Sequence, residues 1–227
     1  MIKYEHCSVN QEMFKIMPEL TPRERRFQRT QQAILDAARE IISQQGVEAL
    51  SIRAIAEKID YSPAGLYEYY AGKEEIVAEL CQQGFQRFSR HLSSVDTKLP
   101  PEEYMIELGL AYIDFALKNS DFFLLMFTTA PLLFPNFAVK NKPDAHLSLE
   151  DDDAFVILMR GVERCVNQGV FRLQPNYGVL EMARTAWALV HGIAMLQLSL
   201  MKAVPFEREQ MRIALRIQFS GMKALVI

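Results

Sequence analysis

The stretch Ser51-Ile52-Arg53-Ala54-Ile55-Ala56-Glu57-Lys58-Ile59-Asp60-Tyr61-Ser62-Pro63-Ala64-Gly65-Leu66-Tyr67-Glu68-Tyr69-Tyr70 decides the fold. Ile52, Ile55, Ala56 and Ile59 recur at spacings of three and four, the period of a helix with one inward face. Ser51 stands where a helix start wants a capping hydroxyl. Asp60-Tyr61 breaks the pattern, and Ser62-Pro63 restarts it with a cap followed by a proline. The second helix ends at Ala71-Gly72, barely two turns later. Two short helices joined by a tight turn read as a helix-turn-helix, with the first packed on a scaffold and the second free to enter a major groove. Ile52, Ile55, Ala56, Ile59, Leu66 and Tyr70 point inward. Pro63, Ala64, Tyr67 and Glu68 face largely outward.

Upstream, Thr21-Pro22-Arg23-Glu24 combines a capping box with a first-turn proline. Ile34, Leu35, Ala38, Ile41 and Ile42 then share one face, and Gly46 ends the helix. Residues 1–20 are aperiodic and read as a flexible tail. Arg23, Arg25, Arg26 and Arg29 with Glu24 give residues 21–30 a local charge of +3. Residues 21–72 thus form a three-helix unit with its motif at 51–70, and Lys73 opens a longer helix leading out. Helix starts offer free N–H groups to phosphate, and Ser51, Ser62 and Lys73 sit at such starts.

Residues 73–227 read as a second, all-helical unit. Helices are expected at about 101–119, 120–129, 150–168, 177–201 and 205–225, with Ser148 and the acidic run Glu150–Asp153 marking one helix start. Residues 129–149 hold Pro131, Pro135 and Pro143 and read as a loop. The fold class is therefore all-α.

Over 227 residues the formal net charge is −3, so any nucleic-acid binding must come from a local basic patch rather than from bulk charge. Cys7, Cys81 and Cys165 are scattered and form no metal or disulfide pattern. The four histidines share no ligand spacing, and no catalytic motif is present, so neither a metal, a cofactor nor an enzyme is expected. No secretion signal precedes the first helix. Ala186–Met201, interrupted by His191, Gln197 and Ser199, falls short of the roughly 20 apolar residues a span needs. A cytoplasmic protein with no membrane contact is expected.

The motif residues carry a family resemblance. Gly46-x4-Ser51-Ile52-Arg53-x-Ile55-Ala56, Tyr61 through Tyr70, and Lys73-Glu74-Glu75-Ile76 together resemble the DNA-binding domain of the TetR family. Tyr69 and Tyr70 stand where histidine and phenylalanine are frequent. Trp187-x3-His191-Gly192 resembles the Trp-x3-His-Gly signature of one subclass of TetR C-terminal domains. The resemblance implies a homodimer on double-stranded DNA, with repression commonly relieved by a small ligand. By position it implies that Ser51, Arg53, Tyr67 and Lys73 contact phosphate, with Arg29 in the basic stretch beside them. It places Ser62, Pro63, Ala64, Gly65 and Tyr69 at or near the groove. Glu68 either repels phosphate or accepts from a cytosine amino group.

Two recognition helices related by a dyad imply a palindromic operator. The apolar surplus of the last two helices marks them as the dimer interface. Tyr112, Phe123, Met126, Phe127, Met159, Trp187 and His191, on four helices, are the candidate lining of an effector pocket, apolar with a few polar groups. The competing functional readings are a helical protein-interaction module that no longer binds DNA, and an enzyme.

Overall fold

The computed structural model describes residues 20–129 and 153–224. The expected tail at 1–20, apart from Leu20, and the loop at 129–149, apart from Thr129, lie outside these residues.

Among the described residues every extended element is a helix, with one isolated bridge between Gln174 and Tyr177. The helices are α1 (Pro22–Gln45), α2 (Ile52–Lys58), α3 (Pro63–Leu66), α4 (Lys73–Ser93), α5 (Pro101–Lys118), α6 (Ser120–Leu124), α7 (Ala154–Asn167), α8 (Val179–Leu198) and α9 (Arg208–Ala224). The expected helix at 120–129 is α6 continued by a π-helical turn, Leu125–Thr129. Three helices differ in their bounds from expectation. Asp153 caps α7 by accepting from the Phe155 N–H at 2.7 Å, which places that start at the end of the acidic run. α8 begins after Gly178, whose N–H is held by Glu181 at 2.9 Å, and stops at Leu198. α9 starts at Arg208, because residues 199–207 form turns and irregular chain after α8.

The capping chemistry is local and as expected. Thr21 and Glu24 exchange hydrogen bonds at the start of α1, and Ser51 and Ser62 accept from the backbone three residues on. Such caps contribute about 1 kcal/mol each. Gly46, with φ +81°, takes the left-handed turn that closes α1.

Ile34, Leu35, Ala38 and Ile41 of α1 are buried, as are Ile55 and Ala56 of α2, Leu66 of α3, Tyr70, and Ile76, Val77 and Leu80 of α4. Ile52 and Ile59 are half-buried. α4 runs on into the second unit, where α5 is central and packs on α4, α7, α8 and α9. Arg212 of α9 reaches both Glu103 and Glu107 of α5, and Lys223 reaches Glu102 at 2.6 Å, so ion pairs stitch α9 along α5. α8 is long and apolar enough by composition to cross a membrane, yet it packs on α5, α7 and α9.

Candidate nucleic-acid interface and interior ring cluster

The expected DNA-facing residues sit on one compact unit. Ser51, Arg53, Ser62, Pro63, Ala64, Tyr67 and Glu68 are exposed, as are Arg23, Arg25, Arg26 and Arg29. Tyr67, at 59 % exposure, is the most open aromatic side chain of the motif. Lys73, the first residue of α4, is half-buried. The turn between α2 and α3 is closed by the Tyr61 N–H donating to the Ala56 carbonyl at 2.9 Å, with Asp60 in the left-handed region at φ +53°.

Two of the expected groove residues have internal partners. A Cβ on Gly65 would lie 2.6 Å from Tyr61 Cε1, so the missing side chain admits the Tyr61 ring. Tyr69 is half-buried, stacked on Phe27 of α1 at 4.7 Å and edge-on to Tyr61 at 6.2 Å. The Tyr61 and Tyr69 hydroxyls are 3.5 Å apart, which holds the Tyr61 proton above its ordinary affinity. Tyr70 is buried and donates its hydroxyl to Glu79 of α4 at 3.0 Å, locking the end of the motif to the outgoing helix. Phe27 was not singled out by the sequence, because it lies among arginines rather than on an apolar stripe.

In the second unit, five of the seven expected pocket residues converge. The Trp187 indole N–H donates to the Tyr112 hydroxyl at 3.0 Å, and that hydroxyl lies 2.8 Å from His191 Nδ1. Phe123 and Phe127 pack on His191 with ring centroids 5.5 and 5.2 Å away, and Phe127 reaches Trp187 at 6.4 Å. Burial lowers the His191 pKa from its ordinary value, keeping the imidazole neutral, and raises that of Tyr112. Residues outside the expected lining join the cluster: Phe85 and Phe88 of α4, 5.7 Å from Phe127 and 5.0 Å from Tyr112, and Phe155 of α7, 6.0 Å from Trp187. Phe155 lies one turn before Met159, a spacing that marks a shared helix face.

The other two residues sit differently. Met126 faces α4, with its sulfur 2.5 Å from where a Gly84 Cβ would be. Phe122 approaches the same point, so Phe122 and Met126 face Gly84 of α4, Phe123 faces α8, and Phe127 packs on both α4 and α8. Met159 is half-buried against the core. A separate groove of about 420 Å³ lies between the end of α4, α5 and the start of α9, lined by His91, Val95, Leu99, Glu107, Asp114 and Arg208 among others. None of its residues belongs to the ring cluster. Among the described residues no group of histidine, cysteine and carboxylate side chains is arranged to hold a metal.

Two stretches of the chain match known families. Residues 34–80 match the family described as bacterial regulatory proteins, tetR family, and residues 105–212 match the tetracyclin repressor-like, C-terminal domain. The HTH-type transcriptional regulator YobS of Bacillus subtilis is 34 % identical over 94 residues, covering 41 % of this chain and 49 % of that protein. The chain spans about half the length, or less, of the curated relatives it matches. Among solved structures, a tetR-family bacterial regulatory protein from Rhodococcus superposes with a TM-score of 0.67 at 17 % identity, covering 86 % of this chain and 97 % of its own. The TetR-family regulator PfmR of Thermus thermophilus superposes at 0.63 with 22 % identity, covering 84 % and 99 %. At these identities the superpositions speak for the fold.

Proposed function

Because the chain belongs to the TetR family, we propose that it is a dimeric transcriptional repressor, released from a palindromic operator by a small apolar effector. Residues 21–72 are the reading unit and residues 73–227 the effector-binding and dimerising unit. The observation that carries this reading is the pairing of two features in one chain. An exposed surface at α2, α3 and the arginines of α1 stands at one end of α4, and an aromatic ring cluster with a polar centre contacts Phe88 of the same helix.

Arg29, Ser51, Arg53, Tyr67 and Lys73 position the phosphate backbone. Ser62, Pro63 and Ala64 meet base edges. Gly65 and Tyr69 support that face from behind. Phosphate contacts set register and base contacts set sequence. Tyr112, Phe123, Phe127, Met159, Trp187 and His191 receive the effector, with Met126 behind them against α4. An effector that prefers the state with misaligned recognition helices lowers operator affinity by its differential binding energy, typically about 1–3 kcal/mol. α4 carries the change, since it begins at Lys73 and ends beside the cluster.

The dimer is built on α8 and α9. Trp187, Leu196, Ile213 and Ile217 of these helices are exposed large apolar residues, and Leu200 and Val204 between the helices are more so. Open apolar side chains on two neighbouring helices suit burial against a second copy.

The test is selection of bound duplexes from a random pool by the full-length protein. An enriched inverted repeat is the expected result. The absence of any enriched sequence at low salt would overturn the DNA-binding reading in favour of a protein-interaction module.

A further inference from the structure

We infer that the ring cluster takes an apolar molecule bearing a neutral hydrogen-bond acceptor, a ketone or ester carbonyl, held by the His191 Nε2–H. This rests on the effector-site reading above and names the ligand chemistry that site can accept.

The direction of two hydrogen bonds carries the inference. An indole N–H can only donate. Trp187 therefore makes the Tyr112 oxygen an acceptor at 3.0 Å. The hydroxyl proton of Tyr112 must then go to its other neighbour, His191 Nδ1, at 2.8 Å. The reverse assignment, with hydrogen on Nδ1, would aim two donors at the Tyr112 oxygen. It would also strand the hydroxyl proton of a side chain that is only 6 % exposed, and an unmade buried hydrogen bond is costly. So Nδ1 accepts.

Burial keeps the His191 ring neutral, and a neutral imidazole with an unprotonated Nδ1 carries its hydrogen on Nε2. The Tyr112 hydroxyl proton is committed to His191 Nδ1, and the Trp187 N–H to the Tyr112 oxygen. The Nε2–H has no partner among the described residues. It is the donor that the cluster's described residues leave without a protein partner, on a ring packed against Phe123, Phe127 and Trp187. These residues include no carboxylate to receive an ammonium group. A ligand that fits is apolar over its body and ends in an acceptor. A donor-only amine would meet a donor, and a carboxylate would force charge into a site that disfavours it.

Trp187 is the only tryptophan of the chain, so its fluorescence reports the site directly. The full-length protein is titrated with methyl hexyl ketone, octane and octylamine. The ketone is expected to saturate the signal with an affinity roughly 3- to 10-fold above that of octane, the range of one neutral hydrogen bond, and octylamine is expected to bind more weakly than the ketone. His191→Phe should erase the ketone's advantage, and His191→Gln, whose amide can donate, should retain part of it. Saturable binding of octane as tightly as the ketone, or of octylamine more tightly, overturns the inference while leaving the effector site standing. No saturable response to any of the three overturns both. Proton–nitrogen correlation spectra of the histidine rings test the assignment without a ligand, with His191→Gln identifying the signal. A hydrogen on Nε2 is expected, and a hydrogen on Nδ1 overturns the inference alone.

Discussion

Arg39 of α1 is ion-paired with Asp121 at the start of α6, 82 positions further along the chain, and its guanidinium lies 4.3 Å from the centre of the Phe122 ring. Arg87 of α4 approaches the same ring at 4.8 Å. The contact ties the N-terminal unit to the element that carries Phe123 and Phe127. A double-mutant cycle of Arg39→Ala and Asp121→Ala, read by urea unfolding, should give a coupling of about 0.5–1 kcal/mol, the range for a partly exposed pair. Arg39→Ala alone should cost more than Asp121→Ala, because it also removes the cation–ring contact. Additive single effects would show that the pair contributes nothing.

Gly65→Ala should weaken DNA binding more than it weakens the fold. The added Cβ collides with the exposed Tyr61 ring, which can swing away into water. That displaces the Tyr61–Tyr69–Phe27 stack behind the reading surface. Unfolding midpoints should shift by less than about 1 kcal/mol equivalent. Binding to the selected duplex should fall several-fold, and equal losses in both measurements would contradict this account.

Lys73→Ala should lower affinity for all duplexes alike and reduce the slope of log affinity against log salt by about one. Replacing Ala64 with leucine should instead change which sequences are enriched, since a bulky side chain at an exposed position of α3 alters base-edge contact. Binding isotherms at several salt concentrations separate the two. An unchanged slope for Lys73→Ala would remove it from the phosphate contacts.

Ile217→Glu should shift the protein from dimer to monomer in sedimentation at micromolar concentration. Ile217 is 69 % exposed on α9, and a carboxylate there would be buried against its symmetry mate in an isologous interface. A wild-type protein already monomeric in that range would exclude the dimer.

Acidification should destabilise the fold through His191. Its folded-state pKa is lowered from 6.5 by burial, so the unfolded chain takes up this proton first as pH falls. The stabilisation is present in full above about pH 6.5 and is lost as pH drops toward the folded-state value. His191→Gln should flatten that part of the curve, measured as urea midpoints between about pH 7.5 and about pH 5. An unaltered curve would mean that His191 is solvated.

The helices and their starts were legible in the sequence because the interactions that set them are local. Thr21 and Glu24, Ser51 and Ala54, and Ser62 and Gly65 are each three residues apart, a separation that helix geometry alone turns into contact. The alternation of Ile52, Ile55 and Ala56 likewise named the buried face before any packing was known. Where local signals compete, the boundary moved. Four acidic residues in a row all suit a helix N-terminus, and only the structure identifies Asp153 as the cap.

Contacts between distant segments were decided by packing. Trp187 and His191 are one turn apart, and the sequence placed both beside Tyr112 without fixing which atom donates to which. That order follows from Tyr112 standing between them, 75 and 79 residues away in the chain. Met126 and Phe127 are neighbours in sequence, yet Met126 abuts Gly84, while Phe127 packs on Phe85 and Phe88 of the same helix and on His191. Apolar character is the same on both sides of α6, so composition cannot tell a residue that fills a core from one that lines a site. The orientation of α6 between α4 and α8 makes that distinction, and it is set by the combined packing of helices that periodicity describes only one at a time.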